Sequence, residues 1–331
     1  MRIAINGFGR IGRIFLRSIL AKPGIQVVAI NDLTDTATLA HLFKYDSVHR
    51  GFNGTVNFDA DHLYINNQKI QVLAQRDPLN LPWKELNIDL VIEATGKFAS
   101  RQAAEMHLNS GAKQVIISAP ATDRDMPTVV LGVNDGMVDL RSPILSNASC
   151  TTNNVAAMVK IMDDNWGIVN GYITTVHSMT GDQSLHDAPH KDLRRARAAS
   201  ASIIPTTTGA AKAITSIFPH LDGKLGGAGI RVPVLNGSLT DFTCTLKKLP
   251  TVEEINRVFK TAADGTMHNV LEYTNDPIVS ADIIGNTHSC IFDAQLTSIV
   301  GDLVKVVGWY DNEVGYSSRL ADLVEKISLL K

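Results

Sequence analysis

The stretch that most constrains the fold is "RIAINGFGRIGR", residues 2–13, in which three glycines follow a short apolar run. The apolar run predicts a buried strand, and "IGRIFLRSILA", residues 11–21, carries apolar residues at helical spacing. Gly7, Gly9 and Gly12 therefore form a G-x-G-x-x-G turn between a strand and a helix. In such a turn the glycines provide a tight bend, close approach of a pyrophosphate, and close packing of the helix on the sheet.

A carboxylate follows the glycine turn at the distance that a dinucleotide-binding unit requires. Asp32 comes twenty residues after Gly12, at the end of a second predicted strand, "VVAIN" at residues 27–31. Such an acid accepts hydrogen bonds from a ribose hydroxyl and repels a 2′-phosphate, so the sequence predicts NAD rather than NADP as the cofactor. A plain turn that merely needs glycines is the alternative, and the strand, helix and acid together argue against it.

The rest of the first half alternates between short apolar runs and helix-like patterns. Strand, helix, strand in repetition predicts a parallel, doubly wound α/β sheet, and near-continuous apolar strands predict that both faces are covered. The predicted strands lie at residues 90–95, 114–118 and 128–133, with a helix at residues 101–111.

The second half has longer and partly alternating apolar runs, which predict a mixed or mostly antiparallel sheet with one wetter face. These strands are expected at residues 171–179, 238–246, 290–300 and 303–310. Thr251 followed by Glu254 is a capping box that predicts a helix start, and the chain ends in an amphipathic helix. The change from short, continuous apolar runs to longer, partly alternating ones predicts a domain boundary near residue 150.

Length and composition fit two domains with a large core, since 44% of the 331 residues are hydrophobic and 19% are charged. A net charge of −2 gives no reason to expect nucleic acid or an acidic membrane as the main partner. No apolar run has transmembrane length, and Asn6 and Gly7 break up the N-terminal run that a secretory signal needs. Cys150, Cys244 and Cys290 are an odd number without metal-ligand spacing, which predicts no disulfide, no metal site and a reducing, cytoplasmic compartment.

A candidate nucleophile lies in "SNASCTTNN", residues 146–154. Cys150 directly precedes a predicted helix that starts near Thr151, and a helix N-terminus lowers the pKa of a thiol, as a nearby imidazolium does. His177, near the end of a predicted strand, could supply that imidazole. The alternatives are an inert buried cysteine and a core or surface histidine, and the pattern alone leaves open whether the two side chains meet.

Candidate anion-binding residues follow in residues 190–214, where Arg194, Arg195 and Arg197 cluster and "TTTG" precedes a helix-like run. Hydroxyls and N–H groups at a helix start bind anions, and Arg231 ends another apolar run. The alternative is an ordinary capped helix beside a solvated run of charge.

Six motifs together resemble phosphorylating glyceraldehyde-3-phosphate dehydrogenases over essentially the whole chain: "INGFGRIGR", "SNASCTTN", "TTVHS", "HKDLRRARAA", "IIPTTTGAAKA" and "WYDNEVGY". The resemblance implies a Rossmann NAD-binding domain at residues 1–149 and an α+β catalytic domain at residues 150–314 with a mixed, largely antiparallel sheet. It also implies that a C-terminal helix, residues 315–331, packs back onto the first domain. Family members are usually homotetramers.

The same resemblance implies a reaction, the oxidation of D-glyceraldehyde 3-phosphate to 1,3-bisphosphoglycerate with NAD and inorganic phosphate. Cys150 matches the nucleophile that forms a hemithioacetal and then a thioester. His177 matches the residue that activates the thiol and takes the proton as hydride leaves.

Binding residues follow from the resemblance as three sets, and the two phosphate sets share one arginine. The residues expected around the attacking phosphate are Ser149, Thr151, Thr208, Gly209 and Arg231. Those expected around the phosphate of the substrate are Thr180, Asp182, Arg195 and Arg231. Those expected to bind NAD, besides the three glycines, are Arg10, Ile11, Asp32, Arg76, Thr95, Gly96, Ser118, Asn312 and Tyr316.

Some positions depart from the family pattern without removing a residue that has a direct chemical role. They are Asn154, Met179, Gly181, Val314 and Ser318. An erythrose-4-phosphate dehydrogenase is one alternative, and Thr180 and Asp32 favour the glyceraldehyde substrate over it. A catalytically idle NAD-binding protein with another binding role is the second alternative. The intact set of Cys150, His177, Asn312 and Arg231 argues against it.

Overall fold

The structure is a computed structural model that describes residues 1–330, and the chain divides into two compact units. The first unit comprises Met1–Val129, Asp135–Ala148 and the C-terminal residues from Leu320. The second comprises Val130–Asn134 and Ser149–Arg319. Within residues 1–330, no helix has both the length and the apolar character needed to cross a membrane.

The first unit is built on one eight-stranded sheet. Its strands are β1 (Arg2–Asn6), β2 (Gln26–Asn31), β3 (Val56–Phe58), β4 (His62–Ile65), β5 (Gln68–Leu73), β6 (Leu90–Glu93), β7 (Val115–Ile117) and β8 (Ile144–Ser146). Three helices accompany them: α1 (Arg10–Ile19), α2 (Thr36–Lys44) and α3 (Arg101–Asn109). The strand order is β3-β4-β5-β2-β1-β6-β7-β8.

Six neighbouring strands of this sheet, from β5 to β8, are parallel, while β3 and β4 extend it in antiparallel pairing. The chain order reverses between β1 and β6, which is the topological switch point where doubly wound sheets bind ligands. The predicted Rossmann domain is confirmed.

The glycine turn has the geometry that its spacing predicted. Gly7 has φ +93°, and a Cβ there would lie 2.7 Å from the backbone of Ala94. A Cβ on Gly12 would lie 2.2 Å from the carbonyl oxygen of Gly7, so only glycine lets α1 pack this closely. A Cβ on Gly9 would meet no atom within 4 Å, which leaves that backbone open to a ligand.

The strand expected at residues 128–133 does not form. Thr128 makes one isolated bridge to Ser146, and the chain then turns, with Gly132 at φ 78°. The N–H of Val130 donates to the side-chain oxygen of Asn134 at 2.8 Å instead of to a neighbouring strand. A left-handed glycine and a side-chain acceptor therefore override the apolar run.

The second unit holds a second eight-stranded sheet. Its strands are β9 (Ile168–Ser178), β10 (Ile204–Thr206), β11 (Leu225–Val232), β12 (Ser238–Leu246), β13 (Leu271–Thr274), β14 (Cys290–Asp293), β15 (Ser298–Val300) and β16 (Leu303–Tyr310). Its helices are α4 (Cys150–Trp166), α5 (Ala210–Ile217), α6 (Val252–Asp264) and the first part of α7 (Val314–Ser328).

Only the pairings of β9 with β11 and of β13 with β14 are parallel in this sheet, so the predicted mixed, largely antiparallel sheet is confirmed. The capping box of Thr251 and Glu254 starts α6 as expected. The strand expected at residues 290–300 is broken, because Asp293 accepts a hydrogen bond from the N–H of Gln295 and caps a 3-10 turn at Ala294–Leu296.

The C-terminal helix is divided between the two units. The first turns of α7, up to Arg319, belong to the second unit, although the resemblance assigned residues 315–331 to the first. From Leu320 onward α7 belongs to the first unit, where Lys22 forms ion pairs with Asp322 and Glu325 at 3.0 and 2.6 Å.

Candidate active site

A cleft of about 470 Å³ lies in the first unit at the carboxyl ends of β1, β2 and β6. Five of the residues predicted for the cofactor line it: Gly7, Gly9, Asp32, Arg76 and Thr95. Sequence reasoning did not name the other lining residues, Asn6, Asn31, Leu33, Gln75, Ala94, Lys97 and Phe98. The four polar residues among them, Asn6, Asn31, Gln75 and Lys97, each end a strand or follow one. A polar residue at the carboxyl end of a predicted strand is the signal that could have found them.

Asp32 also holds the glycine turn in place. Its carboxylate accepts a hydrogen bond from the N–H of Phe8 at 2.8 Å and another from the N–H of Thr34 at 3.1 Å. A carboxylate has about four lone-pair positions, so acceptor capacity is left for a ribose hydroxyl. The residue therefore combines an anchoring role with the predicted recognition role.

Arg10 lies at the first position of α1, but its side chain is already paired. The guanidinium makes two bonds to Asp46, at 2.6 and 3.1 Å. Although burial opposes the shift, the N–H of His49 and the Arg10 guanidinium lower the pKa of Asp46 to about 2. The N-cap of α1 is Gly9, which has no side chain to cap the helix, so the N–H groups of its first turn are open to an anion. The remaining residues predicted for the cofactor in this unit do not line the cleft: Ile11, Gly12, Gly96 and Ser118, in addition to Arg10.

In the second unit, Cys150 is the first residue of α4. The preceding Ser149 is the N-cap, and its side chain accepts a hydrogen bond from the N–H of Thr152 at 3.0 Å. One residue earlier, Ala148 has φ 55°, a left-handed conformation that is unusual for a residue with a Cβ. This turn puts the sulfur at the helix N-terminus.

The structure brings His177 to this cysteine. The histidine lies at the end of β9, and its Nε2 is 3.5 Å from the Sγ of Cys150. Its Nδ1 lies 2.7 Å from the carbonyl oxygen of Ser178, which is the acceptor for an Nδ1 proton in the tautomer whose Nε2 lone pair faces the thiol.

Arg231 on β11 is paired in register with His177 and completes this group. Its Nη1 lies 2.8 Å from the histidine Nδ1 and 3.1 Å from the Ser178 carbonyl oxygen. Burial, reinforced by the charge of Arg231, lowers the pKa of His177 to about 3. Burial raises the pKa of the Cys150 thiol, against the opposing effects of Arg231 and the Thr151 N–H.

These shifts favour the thiol and the neutral imidazole. They oppose the sequence-based expectation of an imidazolium beside a Cys150 thiolate, because the histidine is buried beside a cation, and that expectation stays a prediction. The groups that favour the thiolate are Arg231 and the start of α4.

Four residues predicted for an anion meet in one place, here called the arginine pocket: Thr180, Asp182, Arg195 and Arg231. The Nη1 of Arg231 donates to the Thr180 hydroxyl at 3.2 Å, and the Nη1 of Arg195 donates to Asp182 at 2.6 Å. The Thr180 hydroxyl donates to Asp182. Although burial opposes the shift, that hydroxyl and Arg195 lower the pKa of the Asp182 carboxyl group.

The neighbouring residues of the same segment differ in their surroundings. Thr206, the first residue of the "TTTG" segment, accepts a hydrogen bond from the Nε of Arg195 at 3.0 Å. Arg197 instead pairs with Asp187 at the surface, outside the arginine pocket. Thr208 and Gly209 precede α5, where the Thr208 hydroxyl accepts a hydrogen bond from the Ala210 N–H at 3.2 Å.

Two further predicted residues are held by partners that the sequence did not reveal. The hydroxyl of Thr151 lies 2.9 Å from the hydroxyl of Tyr310, whose ring stands edge-on to His177. The side-chain oxygen of Asn312 accepts hydrogen bonds from Ser178 and Ser238, at 2.8 and 2.9 Å. This orients the Asn312 amide N–H₂ away from both hydroxyls.

The last predicted cofactor residue and one departure from the family pattern are both buried. Tyr316 lies in the first turn of α7. Asn154 donates from its side chain to the Trp309 carbonyl oxygen at 3.2 Å, so it links α4 to β16. Within residues 1–330, no group of His, Cys, Asp or Glu side chains could hold a metal ion.

Comparison with known proteins identifies the same family for both halves of the chain. Residues 1–101 match "Glyceraldehyde 3-phosphate dehydrogenase, NAD binding domain", and residues 149–312 match the C-terminal domain of that enzyme. A glyceraldehyde-3-phosphate dehydrogenase of Thermotoga maritima is 55% identical over 327 residues, which cover 98% of each chain. One from Mycobacterium avium is 53% identical over 331 residues, which cover 98% of this chain and 97% of the relative.

The depressed pKa of His177 predicts a loss of stability in acid. An unfolded histidine takes up a proton below about pH 6.5, whereas folded His177 resists protonation down to about pH 3. Stability is therefore fully present above pH 6.5 and falls with pH below it. Between pH 6 and 4 the free energy of unfolding should fall more steeply in the wild type than in His177→Asn, by up to about 1.4 kcal/mol per pH unit.

Urea unfolding at a series of pH values measures this difference. The control is His186→Asn, since His186 is exposed in the same unit. Parallel pH profiles for the wild type and His177→Asn would contradict the neutral, buried histidine.

Proposed function

The chain belongs to the glyceraldehyde 3-phosphate dehydrogenase family, and we propose that it oxidises D-glyceraldehyde 3-phosphate through a thioester on Cys150. It is an NAD-dependent oxidoreductase, and inorganic phosphate is its second substrate. The observation that carries the residue assignment is the 3.5 Å approach of His177 Nε2 to the Cys150 sulfur at a helix start. The first-unit cleft suits NAD, because it combines open glycine backbone, an uncapped helix start and the Asp32 carboxylate.

The thiol of Cys150 attacks the aldehyde carbon and forms a C–S bond, which gives a hemithioacetal. In the tautomer whose Nδ1 proton lies on the Ser178 carbonyl oxygen, the Nε2 lone pair of His177 faces the sulfur and accepts the thiol proton. Nε2 then passes this proton to the former aldehyde oxygen, which becomes the hemithioacetal hydroxyl, and Nε2 is again an acceptor. Bound NAD supplies the hydride acceptor for this oxidation. As the hydride leaves the hemithioacetal carbon, the same histidine nitrogen takes the hydroxyl proton, and a thioester remains on Cys150.

Inorganic phosphate then attacks the thioester carbon, the C–S bond breaks, and the product is 1,3-bisphosphoglycerate. Arg231 favours the thiolate that leaves, since its charge opposes the burial of Cys150. We assign the attacking phosphate to the residues around the two helix starts: Ser149, Thr151, Thr208, Gly209 and Arg231.

We assign the phosphate of the substrate to the arginine pocket, in which Thr180, Arg195 and Arg231 are donors for an anion. Asp182 holds Arg195 and Thr180 in place before that anion arrives. Asn312 and Tyr316 are the second-unit residues that we assign to NAD, with the amide of Asn312 oriented by Ser178 and Ser238.

The reactive thiol should be Cys150 alone. Burial raises the pKa of all three thiols, that of Cys244 to about 12. Only at Cys150 do a nearby cation, Arg231, and a helix start oppose this shift, and only Cys150 is partly exposed. One equivalent of iodoacetamide should therefore modify Cys150 and abolish NADH formation. Peptide mapping locates the label, and Cys244→Ser serves as the control that keeps activity. Full activity of protein labelled only at Cys150 would rule out the thioester mechanism. The same assay with erythrose 4-phosphate tests the alternative substrate.

Asp32 should enforce a preference for NAD. Like charges in a partly dry cleft cost about 1 to 4 kcal/mol, and 1.4 kcal/mol corresponds to about ten-fold. The ratio of kcat/KM for NAD to that for NADP should be at least about ten. Asp32→Asn keeps a hydrogen-bond acceptor but removes the charge, so this variant should have a smaller ratio. Asp35→Asn, at the exposed N-cap of α2, is the control. Equal kcat/KM values for the two cofactors in the wild type would contradict the assignment.

We propose that the chain assembles as a homotetramer in the cytoplasm. One face of the second sheet is incompletely covered, since Tyr172 on β9 is 52% exposed while the adjacent Ile173 is fully buried. Exposed apolar side chains continue along β15 and β16 at Val300 and Leu303. Burial against further copies would remove this surface from water. Sedimentation velocity should give a tetramer, and a monomer at micromolar concentration would contradict it.

The three free thiols fit a reducing compartment, which cell fractionation can check.

A further inference from the structure

A buried polar network lies beneath the cofactor cleft and takes no part in the mechanism above. At its centre is Glu93, the last residue of β6, which is 2% exposed. One carboxylate oxygen accepts hydrogen bonds from the N–H and the hydroxyl of Thr95, at 2.8 and 2.5 Å. The other accepts from the Asn6 amide at 2.5 Å and from His107 Nε2 at 3.1 Å. Four donors thus converge on the two oxygens of one carboxyl group.

The tautomer of His107 follows from its second partner. Trp83 donates from its indole Nε1 to His107 Nδ1 at 3.0 Å, and an indole N–H can only donate. Nδ1 is therefore an acceptor, and the ring proton lies on Nε2, where it donates to Glu93. Trp83 and His107 are both fully buried, so no water competes for these bonds.

This network joins the ends of three strands across the topological switch point. The side-chain oxygen of Asn6, at the end of β1, accepts a hydrogen bond from Asn31 at the end of β2, at 2.7 Å. Asn31 in turn bonds both the N–H and the carbonyl oxygen of Gln75, at 2.8 and 2.9 Å. Asn6, Asn31, Gln75 and Thr95 line the cleft, whereas Glu93 is covered by them.

We propose that Glu93 and His107 are positioning residues for NAD, which hold the cleft wall of Asn6, Asn31 and Thr95 in its binding shape before the cofactor arrives. The inference rests on the assignment of this cleft to NAD. A wall held in advance costs the cofactor less ordering on binding. Loss of the network should weaken NAD binding and spare the chemical step, because Cys150 and His177 belong to the second unit.

Glu93→Gln and His107→Phe test the proposal. Glutamine keeps the volume of Glu93, but its amide N–H₂ faces one pair of donors. Phenylalanine keeps a ring at position 107 but removes both nitrogens. Each variant should raise the dissociation constant and the KM of NAD by about ten-fold or more, with kcat at saturating NAD within about three-fold of the wild type.

Two controls separate positioning from general damage. His107→Gln offers an amide donor to Glu93 and a carbonyl acceptor to Trp83, so it should restore NAD affinity to within about three-fold of the wild type. Glu105→Gln makes the same chemical change as Glu93→Gln at an exposed position of α3 and should leave both constants unchanged.

Calorimetric titration with NAD and initial rates of NADH formation measure these effects. The wild type is measured first, and its failure to bind NAD would refute the assignment of the cleft itself. Wild-type NAD affinity in Glu93→Gln and His107→Phe would overturn the positioning role. If His107→Phe does not fold, Glu93→Gln decides. A fall in kcat as large as the loss of affinity, or loss of the fold in both variants, would assign the network a purely structural role.

Discussion

The parallel pairing of β11 with β9 sets Arg231 beside His177, and the electrostatics of the second unit depend on this register. Burial and the guanidinium 2.8 Å from the ring nitrogen both disfavour an imidazolium and lower the pKa of His177. The same cation favours a thiolate on Cys150. One fixed charge therefore keeps the base ready to accept a proton and stabilises the anion that the proton leaves behind.

Carboxylates in both units hold other groups in position and are not the groups that react. Asp46 fixes the Arg10 guanidinium, and Asp182 fixes Arg195. Asp32 holds the glycine turn through the Phe8 N–H, and Glu93 gathers the strand ends beneath the cleft. Holding long side chains and turns in place before a phosphate or a cofactor binds reduces the entropy lost on binding.

The predictions made from the sequence agree best with the structure where contacts within a short segment determine its conformation. The glycine turn, the capping box at Thr251 and the helix start at Cys150 each depend on contacts within a few residues. The strand predicted at residues 128–133 does not form, because the backbone turns there, although the apolar side chains are mostly buried. Hydrophobicity there predicted burial correctly but not the strand, since Gly132 and the Asn134 side chain redirect the chain.

The amino-acid sequence was sufficient to predict the Rossmann and mixed-sheet architecture, the NAD cofactor and the family, because these depend on periodicity, turn chemistry and local motifs. The contacts between side chains that are distant in sequence, in contrast, are visible only in the folded chain. Arg231 reaches His177 across 54 residues, Tyr310 reaches Thr151 across 159, and Asn6 reaches Glu93 across 87. Such contacts follow from strand order and register, which are set by the packing of the whole sheet. For that reason the lowered pKa of His177 and the network beneath the cleft could not be predicted from the sequence.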